Sequence, residues 1–466
     1  MTTTGHHPDE HGVVKKVATA SFLGNFIEWF DYGSYSYFAV IIAQTFFPAG
    51  DRSVQLLQTY AVFALSFLLR PIGALVWGHI GDKLGRKWAL SASIMLMTGA
   101  TFCIGLIPSY AAIGFLAPLL LLIMRAIQGF SASGEYAGAS TFLAEYAPTK
   151  RRGIYVSLVP ASTATGLLAG SLSAFALSGL LNEAFLHAWG WRFPFFVALP
   201  LGFVALYIRL HLEDSPTYQA MQQGMSSVEK AEAKHPIVAL FTSYKAKLLI
   251  AFGVACLNAV GFYIVLTYLP TYLEEEVKMS TAVSTGITSI TLVFYIAAIF
   301  LMGHLSDMFG RKRMLVTACL AFIILSVPGF WLLGLRNVAL ILVVEIVMCV
   351  ALTINDGTLA SFLTETFPTA VRYTGFALSF NLANALFGGT APMICTALIK
   401  ATGSRMAPAW YLIAVAAMAL IAMHFCVDRS GEDLTQVGKD SDGDEAILEE
   451  EAKAQDATQA EGGPRV

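Results

Sequence analysis

Twelve apolar stretches, separated by short polar loops, run along this chain of 466 residues. A membrane-spanning helix needs about 20 largely apolar residues. The stretches lie at roughly 18–42, 56–80, 88–108, 113–140, 154–180, 191–211, 247–272, 283–305, 314–334, 338–363, 374–399 and 408–427. Composition points the same way, with 56% hydrophobic and only 13% charged residues, where a soluble domain carries about a quarter charged. The deficit of charge is spread along most of the chain. The predicted fold is an all-α membrane protein of twelve transmembrane helices.

The longest polar interior stretch, 213–246, divides the spans into two sets of six. The expected organisation is an N-terminal tail (1–16), a six-helix bundle (17–212), a linker (213–246), a second six-helix bundle (247–427) and an acidic tail (428–466). That tail holds twelve acids and four bases, has almost no large aliphatics, and reads as disordered. With a formal net charge of −3 for the whole chain, the rest is net basic. Its basic residues gather in alternate loops: Lys83, Arg86 and Lys87; Lys150, Arg151 and Arg152; Lys230, Lys234, Lys245 and Lys247; Arg311, Lys312 and Arg313; and Arg372. The positive-inside rule places those loops and both termini in the cytoplasm. The N-terminus has no signal-peptide cleavage pattern.

The two halves repeat each other. Gly78, Asp82, Gly85, Arg86 and Lys87 recur at the same spacing as Gly303, Asp307, Gly310, Arg311 and Lys312, each set between the second and third spans of its half. After the fourth span of each half, Glu145, Pro148, Thr149 and Arg152 are echoed by Glu365, Pro368, Thr369 and Arg372. Parallel repeats around a midplane site form a transporter architecture, in which one half rocks against the other.

The paired G-x-x-x-D-x-x-G-R-K loops resemble the signature of the major facilitator superfamily over nearly all of residues 17–427. Arg125, Gln128 and Gly129 resemble its R-x-x-Q-G motif, which the resemblance associates with proton coupling. Gly24, Asn25, Glu28, Trp29, Phe30 and Asp31 in span one are similar to the metabolite:proton symporter family, as are Gly134, Glu135 and Tyr136 in span four and Trp189 to Phe196 entering span six. Thr101 to Tyr110, Ala144 to Tyr146, Leu266 to Pro270 and Ala407 to Tyr411 resemble its proline/glycine-betaine branch. The resemblance implies a plasma-membrane symporter (the bacterial inner membrane), working as a monomer, with the proton as coupling ion and no other cofactor. It departs from the osmosensory members in lacking a C-terminal heptad repeat.

Charges at membrane depth are costly and mark transport paths. Glu28 and Asp31 share one face of span one. Arg125, Gln128, Glu135 and Tyr136 share about a third of the circumference of span four. Proton coupling needs a carboxylate that alternates between neutral and charged forms, and Glu28, Asp31 and Glu135 are candidates, with Arg125 as partner. A permanently paired network that only fixes packing would show the same residues. In the second half, Asp356 is placed to contact substrate, and Glu345 can do so or cap a local network. Trp29, Tyr35, Tyr136 and Tyr263 are aromatic candidates for a quaternary ammonium group. The repeated loops read as a gate of Gly78, Asp82, Gly85, Arg86 and Glu145 with Asp307, Gly310, Arg311 and Glu365, the two aspartates seated at helix N-termini of the opposite half.

These features favour proton symport of a small zwitterionic osmolyte. The alternatives are symport of a di- or tricarboxylate or of a shikimate-type acid, then a sugar porter (from Glu213, Asp214, Ser215 and Pro216) or a solute sensor. No nucleophile elbow, phosphate loop or metal-spaced cluster suggests an enzyme. The expected partners are the solute and the bilayer, with no nucleic acid and no metal.

Overall fold

Long apolar runs fold as helices in lipid because each backbone polar group must be bonded within its own segment. The computed structural model describes residues 8–48, 50, 52–212, 215, 218–219, 235–435 and 437, and among these residues there is no strand. Among the described residues, ten helices are long and apolar enough to cross a membrane: Arg86–Leu106, Leu116–Tyr146, Thr149–Leu180, Gly190–Leu210, Lys245–Glu275, Gly286–Phe309, Arg311–Leu333, Val338–Thr366, Arg372–Thr402 and Ala407–His424. They are spans three to twelve. Span one is Pro8–Tyr37, whose apolar run is interrupted by Asn25, Glu28 and Asp31. Span two is a pair of helices, Arg52–Leu68 and Arg70–Leu84. Pro71 has no N–H to give the carbonyl four residues back, so the helix breaks at Leu69.

Two further irregularities lie in the second half. Span seven passes through a π-helical stretch at Tyr263–Tyr268, and span eleven through another at Asn384–Gly388. Such wide turns often occur at functional sites. Large apolar side chains such as Phe175, Leu180, Leu249 and Trp331 face outward, toward lipid.

Within the first half, span one packs along span five, and span three against spans four and six. The halves meet along two seams, span two against span eleven and span five against span eight.

Three expected boundaries differ. The helix of span one already begins at Pro8, inside the expected tail, because a helix need not end where its apolar run does. Part of the expected linker forms a short helix, Pro236–Thr242, and span seven starts at Lys245; Glu213, Asp214, Pro216 and residues 220–234 lie outside the described residues. Finally, residues 428–435 and 437, expected in a disordered tail, lie against the bundle, with Leu434 and Val437 buried. The rest of that tail is outside the described residues.

Candidate functional site

Three acids of the first half are buried, and each meets its own arginine. Asp31 accepts from Arg125 at 2.8 Å, and the guanidinium lies over the Tyr35 ring, 3.7 Å from its centroid. Glu28 accepts from Arg70 at 2.9 Å. Glu135 is paired with Arg209, which also donates to the carbonyls of Leu90 and Ala20. Arg125 is therefore the partner of Asp31 alone, which corrects the expectation that it also serves Glu28 and Glu135. Helical spacing shows which side chains share a face, but not which helix stands opposite. Sequence reasoning does not single out Arg70 and Arg209. Arg70 has a readable signal, a lone cation in the middle of span two; Arg209 sits at the end of span six, where a cation is ordinary.

Gly24 explains part of the span-one motif. A Cβ there would collide with the Glu135 carboxylate and the Arg209 guanidinium. Asn25 donates to the Val159 carbonyl at 2.9 Å and to the hydroxyls of Ser162 and Thr163, tying span one to span five. Gln128 donates to Thr101 at 2.6 Å.

The Glu28–Arg70 pair lies where the halves meet. Arg70 sits 4.7 Å from the Phe67 ring centroid and 5.2 Å from that of Tyr32. Phe67 meets Tyr263 of span seven edge-on at 5.8 Å, and Trp29 meets Phe262 of the same span at 5.3 Å. Among the described residues, Glu28 Oε2, Arg70 Nε, Trp29 Nε1 and the Tyr263 hydroxyl are buried without a hydrogen-bond partner. Tyr35 stands apart and donates to the Thr59 carbonyl at 3.0 Å. Tyr136 stacks on Phe380 of span eleven at 4.4 Å.

Neither membrane-depth acid of the second half has a basic partner among the described residues. Asp356 accepts from Asn258 and from the Tyr295 hydroxyl. Glu345 accepts from Thr291 at 3.3 Å.

At the basic end the repeated loops lock the halves together. Asp82 accepts from the backbone N–H groups of Tyr373 (3.1 Å) and Thr374 (2.8 Å) and from the Thr374 hydroxyl (2.7 Å), at the start of span eleven. Asp307 accepts from the N–H groups of Gly153 (2.7 Å) and Ile154 (2.9 Å), at the start of span five. Unpaired N–H groups and the helix dipole both favour an anion there. Each glutamate joins an arginine of its own half to one of the other. Glu145 takes Arg86 at 3.3 Å and Arg372 at 2.9 Å; Glu365 takes Arg311 at 3.1 Å and Arg152 at 2.7 Å. Gly85 and Gly310 turn the two loops at φ 108° and 91°, a region that favours glycine. Gly78 packs so closely on Thr374 that a Cβ would lie 2.6 Å from its Cα.

A duplicated twelve-helix bundle, sealed at one end by paired loops and holding buried charges between its halves, defines a transporter of the major facilitator superfamily. The chain belongs to the sugar (and other) transporter family, which residues 16–440 match. It is 38% identical over 416 residues to the proline/betaine transporter of Escherichia coli (strain K12), covering 88% of this chain and 83% of that protein. It is 37% identical over 465 residues to the glycine betaine/proline/ectoine/pipecolic acid transporter OusA of Dickeya dadantii (strain 3937), covering 97% and 92%. Among solved structures, the proton:xylose symporter XylE bound to 6-bromo-6-deoxy-D-glucose superposes with a TM-score of 0.77, covering 92% of this chain and 99% of that one at 19% identity. That likeness bears on the fold. The protein is a multi-pass membrane transporter and not an enzyme.

Proposed function

We propose that the protein couples inward proton movement to uptake of a small zwitterionic osmolyte such as proline or glycine betaine. The observation that carries this reading is the set of three buried carboxylates in the first half, each balanced by a single arginine. A carboxylate that trades an arginine for a proton as its surroundings change is the element that proton coupling requires. The names of the relatives support the solute class. So does the aromatic cluster beside Arg70, which offers ring faces to an ammonium group and a guanidinium to a carboxylate.

The basic end, with both termini, faces the cytoplasm. The Asp82 and Asp307 contacts and the four glutamate–arginine pairs act there as a latch that holds the cytoplasmic side closed. Both halves of the path come from one chain, so the working unit is a monomer. The proton is the coupling ion, and no other cofactor takes part. A di- or tricarboxylate is a poorer match, because its further carboxylates would need cations beyond Arg70, and Arg125 and Arg209 each already face an internal acid.

The test is uptake into proteoliposomes under an imposed pH gradient, comparing glycine betaine, proline, 2-oxoglutarate, citrate, shikimate and glucose. Betaine or proline is expected to accumulate, and dissipating the proton gradient at constant sodium is expected to abolish it. Accumulation that follows a sodium gradient and ignores pH would overturn the reading.

A further inference from the structure

We infer that Arg70 is the seat of the substrate's carboxylate, and that the substrate takes this seat from Glu28, which leaves with a proton. The inference rests on the proposed symport of a zwitterion and names the site and step within it.

Of the three arginine–acid pairs in the first half, Glu28–Arg70 is the one whose guanidinium lies on a ring, Phe67, that itself meets an aromatic side chain of the second half. Tyr32 and Phe67 pack on the guanidinium, and Tyr263 meets Phe67 from span seven. A solute can bias the rocking of two halves only if it contacts both. A carboxylate on Arg70 and an ammonium group among Trp29, Phe262 and Tyr263 would satisfy that condition. Four buried polar atoms without hydrogen-bond partners collect at this place: Arg70 Nε, Glu28 Oε2, Trp29 Nε1 and the Tyr263 hydroxyl.

The charge balance follows. In the structure Arg70 and Glu28 form a neutral pair, both almost fully buried. An arriving carboxylate forms a new ion pair with Arg70, and the Arg70–Glu28 pair breaks. A buried carboxylate stripped of its cation is costly, so Glu28 takes a proton from water on the open side. The other titratable groups around the pair are Asp31 and Tyr32 on span one, Glu135 on span four and Tyr263 on span seven. Asp31 and Glu135 are answered by Arg125 and Arg209, which leaves Glu28 as the acid that substrate binding unpairs. The loaded site then carries one positive charge more than the empty one, and a solute without a carboxylate triggers no proton uptake.

The experiment measures proton uptake from weakly buffered medium when glycine betaine or choline is added to the purified transporter, alongside binding and proteoliposome uptake. The wild type is expected to take up about one proton per betaine and none with choline. Glu28→Gln is expected to keep betaine binding and downhill exchange, and to lose both the proton signal and accumulation under a pH gradient. Arg70→Gln combined with Glu28→Gln removes both charges without leaving either alone. It is expected to weaken betaine binding about 10- to 100-fold and to erase the preference for betaine over choline. A Glu28→Gln protein that still takes up a proton with betaine overturns the inference, and so does a double variant that still prefers betaine. A wild type that accumulates neither betaine nor proline under a pH gradient defeats the transport reading instead, and that result comes from the uptake arm alone.

Discussion

Glu135 and Arg209 pair within the first half, between spans four and six. Arg209 is held by two backbone carbonyls as well as by the carboxylate, and Gly24 leaves room for both charged groups. That setting suits a fixed brace between spans four and six better than an acid that must change partners. Glu135→Gln alone leaves a buried guanidinium without its counter-charge, a loss of about 3–5 kcal/mol. Replacing both residues, with Glu135→Gln and Arg209→Met, is expected to recover most of that, as read from the thermal unfolding midpoint in detergent. If the double variant is stable and still accumulates substrate with unchanged pH dependence, Glu135 is structural. If it is stable but uncoupled, the brace reading fails. Gly24→Ala is expected to destabilise the same fold by about 1–3 kcal/mol, since its Cβ has no space, and the same unfolding measurement checks it. At this scale the sequence shows which residues are chemically unusual, because a charge inside an apolar run stands out. It does not show their partners: Glu28 and Arg70 are 42 positions apart, and Glu135 and Arg209 are 74 apart, on helices whose relative rotation no local pattern encodes.

The repeated loops work as elements, each joining a loop aspartate to the first turn of a helix in the other half. The spans and these loops are legible because they depend on local signals: apolar length, glycines where φ is positive, and a duplicated motif. The expected seats of Asp82 and Asp307 coincide with the observed ones. The break of span two at Leu69 has a local signal in Pro71 that the apolar run of span two hides, whereas the π turns of spans seven and eleven are not legible, because their course depends on neighbouring helices. Arg152 and Arg372 are visible as loop cations and as echoes of one another, but not as the residues that each cross to the glutamate of the opposite half. Asp82→Asn keeps the hydrogen-bonding shape but removes the anion from the start of span eleven. It is expected to weaken closure by about 1–2 kcal/mol. Because the loop lies far along span two from Arg70, the maximal transport rate should fall several-fold while substrate affinity changes little. A variant with a normal maximal rate and selectively poorer binding would remove the latch from the account. Asp307→Asn is expected to behave alike, though Asp307 lacks the third bond that Asp82 takes from a threonine hydroxyl.

For the molecule as a whole, closure at the basic end also recruits chain that follows span twelve. Ser430 accepts from the Arg311 N–H at 2.7 Å. The Glu432 carbonyl accepts from Arg152 of the first half at 3.3 Å. The Leu434 carbonyl accepts from Arg372 of the second half at 2.8 Å and from Thr369 at 3.3 Å. Leu434 and Val437 are buried as this happens. The segment thus bonds to both arginines that cross the seam, and its bond to Arg152 of the first half holds only while the halves are together. Removing residues 438–466 leaves all of these contacts, so uptake is expected to stay within about twofold of the full chain. Removing residues 428–466 deletes them. With the one bond that crosses to the first half worth about 1 kcal/mol, and part of the burial of Leu434 and Val437 lost on opening, closure should weaken by about 2–4 kcal/mol. That shifts the ratio of closed to open states by roughly 30- to 1,000-fold. Spin labels at Lys83 and Arg313, one in each half at this end, report the change. A longer distance population is expected to grow with the second truncation and not with the first. Equal distance distributions in both truncated proteins would mean that the segment rests on the gate without holding it shut.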